Sequence, residues 1–109
     1  MANFVRNVGT SAANTAQTVS TVTGNVRSLV AVHVAYSAAP TQTGVTVTLN
    51  SGAGAGYDTL LSTGTANARY TTYIPAVPLP LLADDVVDVV APAAGGTVTS
   101  AVSIYTEIL

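Results

Sequence analysis

Apolar residues fall at every second position through much of this chain. Between Val26 and Tyr36, Val26, Val30, Val32, Val34 and Tyr36 share one parity, and Arg27, Leu29, Ala31, His33 and Ala35 share the other. Successive side chains of a strand point to opposite faces, so this period of two predicts a β-strand. Both faces are nearly uncharged, which predicts a central position in a sheet or cover by another subunit. After the turn-like Ala39 to Gly44, the run Val45-Thr46-Val47-Thr48-Leu49 alternates apolar residues with threonine and predicts a half-buried strand.

The pattern continues with interruptions. Glycines between Ser51 and Gly56 break the chain, and Tyr57–Thr63 offers a short, less regular strand through Leu60 and Leu61. Arg69 to Ile74 is aromatic and β-branched, hence another strand ending at Pro75. Two prolines within Val77 to Leu82 lack ladder donors, so this piece is expected to cross the end of the fold as an extended loop whose leucines plug the core. Asp84-Asp85 introduces a run from Val86 to Ala91, and Gly95-Gly96 separates it from Thr97–Ile108, which predicts a hairpin. In the last run Val98, Val102, Ile104 and Ile108 share a face.

Before Gly24 there is no sustained period, only Thr, Ala, Asn, Ser and Val with one short strand expected at Gln17–Thr23. Residues 1–24 therefore read as an extended N-terminal arm and residues 25–109 as the body. Some six to eight short strands spaced by turn signals predict an all-β protein, an antiparallel, jelly-roll-like β-sandwich. No amphipathic segment of helix length competes.

Composition narrows the function classes. Only 7% of the 109 residues are Asp, Glu, Lys or Arg, against about a quarter in ordinary soluble domains. There is no lysine, the cations are Arg6, Arg27 and Arg69, and the net charge is −2. Without a basic stripe to release counterions from phosphate, nucleic acid is not expected as a partner. Weak self-repulsion instead favours association, so we expect a homo-oligomer, with hydroxyls keeping exposed strand faces wet. The absence of cysteine removes disulfides, thiolate catalysis and thiolate metal sites. Met1 to Gly9 holds no continuous apolar stretch, and no run approaches the roughly 20 apolar residues of a membrane span, so neither a secretion signal nor membrane insertion is expected.

Candidate chemistry is sparse. The lone histidine, His33, sits mid-strand among alanines with no nucleophile elbow nearby, and is expected to be a packed or interface residue. Gly52, Gly54 and Gly56 lead into more β-structure rather than a helix N-terminus, so a flexible inter-strand loop, open to a contact role, is expected rather than a phosphate cradle. Asp84, Asp85 and Asp88 lack EF-hand spacing. The first two suit a turn, and Asp88 should share the face of Val86 and Val90, where an arginine can pair with it. No enzyme activity, cofactor or metal site is expected.

The run Pro78 to Val90, the Gly95-Gly96 turn and Ala101-Val102-Ser103-Ile104-Tyr105 resemble the closing hairpin of small jelly-roll virion proteins of tailed bacteriophages, over residues 26–108. That resemblance implies a capsid decoration or cement protein, located in the virion, trimeric, and bound to the major capsid protein or another virion protein. The arm is then the anchor, with Asn3, Phe4, Val5, Arg6 and Val8 as partner-binding residues able to add a strand to a neighbour. A second reading is a receptor- or glycan-binding module of a head or tail fibre, using Gly54, Tyr57 and Tyr73 as loop contacts, because tyrosine offers an apolar face and a polar tip.

Overall fold

The computed structural model describes residues 3–109. Nine strands follow in order: β1 (Asn3–Thr10), β2 (Gln17–Ser20), β3 (Arg27–Tyr36), β4 (Thr46–Asn50), β5 (Thr59–Thr63), β6 (Tyr70–Tyr73), β7 (Leu79–Leu81), β8 (Val86–Ala91) and β9 (Ser100–Ile108), with one short 3₁₀ turn at Ala55–Tyr57. They form two antiparallel sheets. One runs β1-β9-β3-β6, with β7 also paired to β3, and the other runs β2-β8-β4-β5. Face to face they make a β-sandwich of jelly-roll type.

The core is where the alternating apolar positions meet. Leu29, Val32 and Val34 of β3 and Val102 and Ile104 of β9 face Val47 of β4 and Val87 and Val89 of β8, with Leu81 of β7 between them, all essentially inaccessible. Burying each such side chain contributes about 1.5–3 kcal/mol. Val86, Asp88 and Val90 turn to the other side of β8, half-buried, as the alternation requires.

Four expectations are corrected. Leu29, not Val30, joins Val32 in the core, because the β3–β9 register shifts between Leu29 and Ala31. The extra residue of a bulge reverses the parity of everything before it. The segment Val77 to Leu82 is not loop throughout: Leu79–Leu81 pairs with Arg27–Leu29. Having β3 as its one neighbour, β7 tolerates Pro80, since a strand edge needs no donor on its outer side. Leu81 does plug the core, whereas Leu82 is exposed.

The third correction concerns β8 and β9, which form no hairpin: β8 lies between β2 and β4 in one sheet, β9 between β1 and β3 in the other. Gly95 and Gly96, with φ of 82° and 54°, carry the chain from one layer to the other. The fourth concerns the arm. Met1 and Ala2 lie outside the described residues, but Asn3–Thr10 pairs with β9 and Gln17–Ser20 with β8, so residues 3–20 supply an edge strand to each sheet. Polar side chains fasten them. Gln17 Nε2 donates to Ser100 Oγ at 2.8 Å, and the Ser100 N–H donates to Ser11 Oγ at 2.9 Å.

Candidate functional site

At the end of the sandwich where β4 stops and β8 begins, two turns face each other. The first, from Ser51 to Asp58, is held by hydrogen bonds within itself. Ser51 N–H donates to Asp58 Oδ1 at 2.8 Å, Ala53 N–H to Ser51 Oγ at 3.1 Å, and Tyr57 N–H to the Gly54 carbonyl at 3.0 Å. Gly54 enters the 3₁₀ turn at φ 123°, a region closed to most side chains. The loop is thus held in shape, against the expectation of a flexible one, and it presents Tyr57 at 69% exposure.

The second turn, Leu82 to Asp85, is closed by Asp85, whose N–H donates to the Leu82 carbonyl at 3.0 Å and whose Oδ2 accepts from Leu82 N–H at 2.9 Å. Asp85 Oδ1 reaches across to accept the Gly52 N–H at 3.0 Å. One carboxylate thus ties both walls, a charge-assisted arrangement stronger than neutral pairs. Gly52 is required at this approach, because a Cβ there would lie 2.5 Å from Asp84 Cβ and 2.9 Å from the Asp84 carbonyl oxygen. A third loop joins through Gly24 N–H, which donates to the Ala83 carbonyl at 2.9 Å.

Between these walls lies a cleft of about 310 Å³ lined by Ser51, Gly52, Ala53, Leu82, Ala83, Asp84 and Asp85. Its chemistry is mixed. The Asp84 side chain is exposed and accepts no hydrogen bond among the described residues, while Leu82 at 68% exposure supplies apolar surface; Tyr57, on the same loop as Ser51 to Ala53, lies outside the lining. A smaller hollow of about 210 Å³ lies at the opposite end of β3 and β9, between Thr10, Tyr36, Ser37 and Ser100. Several of its polar groups are already paired, among them the Ser37 and Ser100 N–H groups. The cleft beside Asp84 has paired groups too, at Gly52, Ala53, Leu82 and Asp85, and is the candidate site because it adds the unengaged Asp84 carboxylate to exposed Leu82.

The other predicted residues are distributed elsewhere. Tyr73, in β6 of the opposite sheet, packs against the core, so it does not share an exposed platform with Tyr57. His33 is exposed on the outer face rather than packed, its Nδ1 2.9 Å from Thr72 Oγ1. Asp88 accepts from the Ser20 hydroxyl instead of an arginine. On β1, Phe4 (63% exposed), Arg6 and Val8 (60% exposed) look outward beside exposed Asn3, while Val5 is half-buried. The described residues contain no group of three or more His, Asp or Glu placed to hold a metal, and no helix long and apolar enough to cross a membrane.

Sequence reasoning missed the role of Gly52 and Leu82, and it placed Asp85 in a turn without its reach to Gly52. An acidic pair directly after a proline-interrupted apolar run was the available signal for a shaped turn, but nothing local indicates which loop it would meet.

No protein-family model matches the chain, and no curated protein matches it. Among solved structures it is similar to the family 32 CBM from C. perfringens NanJ in complex with galactose, with a TM-score of 0.50 and 13% identity over 92% of this chain and 93% of that one. It also aligns with FlhE at a TM-score of 0.40 and 17% identity, over 95% of this chain and 96% of that one. The first similarity shows the fold: an antiparallel β-sandwich of the CBM32-like jelly-roll type. The second is too distant to add to it.

Proposed function

We propose that this chain is a carbohydrate-binding module whose glycan site is the cleft between the Ser51–Asp58 loop and the Leu82–Asp85 turn. The observation that carries the reading is the pairing of a free acceptor with an apolar face. The Asp84 carboxylate is exposed and unengaged among the described residues, Leu82 is exposed in the cleft lining, and Tyr57 is exposed on the loop that forms the first wall. A sugar offers hydroxyl donors to the first and C–H faces to the second. Because the ionisable groups lining the cleft are the carboxylates Asp84 and Asp85, the ligand is a neutral sugar rather than an acidic one. The similar CBM structure holds galactose, which supplies the first ligand to try.

Titration calorimetry with galactose and a panel of neutral and sialylated glycans tests this. Binding of a neutral sugar that Asp84→Ala and Tyr57→Ala each weaken at least tenfold is expected, about 1.4 kcal/mol apiece. Folded wild-type protein that binds none of the panel overturns it.

A second reading, a capsid decoration or cement protein, is favoured by the sparse charge of the chain and by the exposure of Phe4 and Val8 on a sheet edge. Deleting residues 2–23 would remove two strands of the sandwich and so test folding rather than capsid contact. Phe4→Ser with Val8→Ser is the better variant. Unchanged occupancy on phage particles by that double variant removes the edge from any capsid role.

A further inference from the structure

We propose that two copies of this chain associate through β1, edge to edge and antiparallel, about a two-fold axis at Val5. The open groups of β1 follow from its register. Ser11 N–H donates to the Ser100 carbonyl at 2.9 Å, continuing a ladder that pairs Asn3 with Ile108 through to Thr10 with Ala101. In an antiparallel pair, residues bonded to the neighbour alternate with residues whose N–H and C=O point away. Odd-numbered residues of β1 are therefore bonded to β9, and Phe4, Arg6, Val8 and Thr10 present their backbone groups to the open side.

Sheets ordinarily blunt such an edge by shortness, proline, bulges or charge. The other edges do so. β2 and β6 have four residues each, β7 has three with Pro80 among them, and the pairing of β5 with β4 is broken by a register shift between Val47 and Thr48. β1 has eight residues in unbroken register with β9, one charge, and no proline. Phe4 and Val8, on its exposed face, are both more than half exposed. With a net charge of −2 spread over 109 residues, little repulsion opposes a second copy.

A second, independent observation lies on the inward face of the same strand. Asn7 Oδ1 is buried and has no hydrogen-bond partner among the described residues. Buried acceptors in native folds are almost always satisfied, so Asn7 gains a hydrogen bond by turning its amide toward a donor at the open edge of the strand.

Side-chain chemistry then selects the axis. Two strands that keep their faces aligned must pair residues of like parity, which leaves axes at Val5, Arg6 or Asn7 near the strand centre. An axis at Arg6 sets two guanidinium groups directly opposite, which is destabilising. An axis at Asn7 sets Val5 against the partner's Gly9, with no side chain to pack. The Val5 axis places Arg6 across from the partner's Phe4, twice, as a cation–π pair. It also packs Val5 on the partner's Val5, and brings Asn3 beside the partner's Asn7 as an amide donor for the unsatisfied oxygen.

Sedimentation equilibrium of the full chain over a concentration series, with oxidative cross-linking, tests the proposal. Wild type is expected to reach twice the 10.9 kDa chain mass. Arg6→Pro removes an outward N–H that the β1–β9 ladder does not use, so it is expected to stay folded by circular dichroism while its mass halves. Val5→Cys, introduced into a chain without cysteine, is expected to form a disulfide-linked dimer in air, since directly opposed positions on antiparallel strands bring Cβ atoms within bridging reach. A wild type that is monomeric at every concentration overturns the proposal. So does a trimer, a dimer that survives Arg6→Pro, or a dimer in which Asn7→Cys cross-links and Val5→Cys does not.

Discussion

Asp85 joins the two walls of the cleft, and replacing it with asparagine changes its hydrogen bonding while leaving its shape almost untouched. In the native protein its two oxygens accept N–H groups from Leu82 at 2.9 Å and from Gly52 at 3.0 Å. A carboxamide keeps one acceptor oxygen and turns an NH₂ group toward the other N–H, so one bond is lost and two donors face each other. A hydrogen bond to a charged group contributes about 1.5–3 kcal/mol. The residue is partly exposed, and water takes over some of that contribution, leaving an expected loss of about 1–2 kcal/mol. For a chain of 109 residues, an unfolding entropy of roughly 2.1 cal/mol/K per residue converts this to a Tm lowered by about 4–9 °C. Calorimetric melts of wild type, Asp85→Asn and Asp84→Asn measure it. Asp84→Asn is the control, with a neighbouring carboxylate that accepts no hydrogen bond among the described residues, and its Tm should stay within about a degree of wild type. Sugar binding should fall in both, in Asp84→Asn without loss of stability. Equal melting temperatures for wild type and Asp85→Asn would refute the view that this carboxylate holds the cleft together.

Gln42, buried at the base of the β3–β4 connection, accepts the Gly44 N–H and donates to the Thr65 and Ala68 carbonyls at 3.4 and 3.3 Å. Gln42→Ala is expected to cost about 2–4 kcal/mol, read as a lower urea midpoint at constant m-value. Burial raises the Tyr36 pKa above its ordinary 10.0, and its hydroxyl donates to the Pro92 carbonyl at 3.0 Å. Above the unfolded-state value the unfolded chain loses this proton first, so stability should fall as pH rises from about 10 toward the folded pKa. Tyr36→Phe should flatten that part of a Tm-against-pH profile. Arg27 is buried with Nε unpartnered among the described residues and Nη1 only 3.4 Å from Thr106 Oγ1. Arg27→Met is therefore expected to leave stability unchanged or raise it by about 1–2 kcal/mol in chemical unfolding; a clear loss would mean that the guanidinium has a partner of consequence.

Strand positions were the most legible feature of the sequence, because an alternating run writes its own buried face. Val87, Val89 and Ala91, or Val102 and Ile104, could be assigned to the core from parity alone. Parity failed at Leu29 and Val30, where a bulge adds a residue that no local signal announces. It also failed for β1, and at β2 it predicted the short strand within Gln17–Thr23 without the sheet that holds it. An edge strand buries one face only in part, so its apolar pattern is diluted, and what fixes these two is pairing with β9 and β8 and the Gln17–Ser100 bond across 83 positions of chain.

The candidate site shows the same division. Tyr57 was legible as an exposed loop aromatic, since glycines and an adjacent aspartate surround it. Tyr73 was not legible as a core-packing residue, because its neighbours Thr71 and Thr72 leave both faces of that short strand looking alike. The residues alone were enough to read an all-β chain with alternating core positions, very little charge, no thiol, and turns at Ser51–Gly56 and Asp84-Asp85. That these two turns meet, that Gly52 lets them touch, and that β1 ends a sheet with its outer backbone groups unpaired among the described residues came only with the folded arrangement. Alternation is a property of neighbours in sequence, whereas pairing and loop contact depend on which distant segments bury each other, and that is settled by the packing of the whole sandwich.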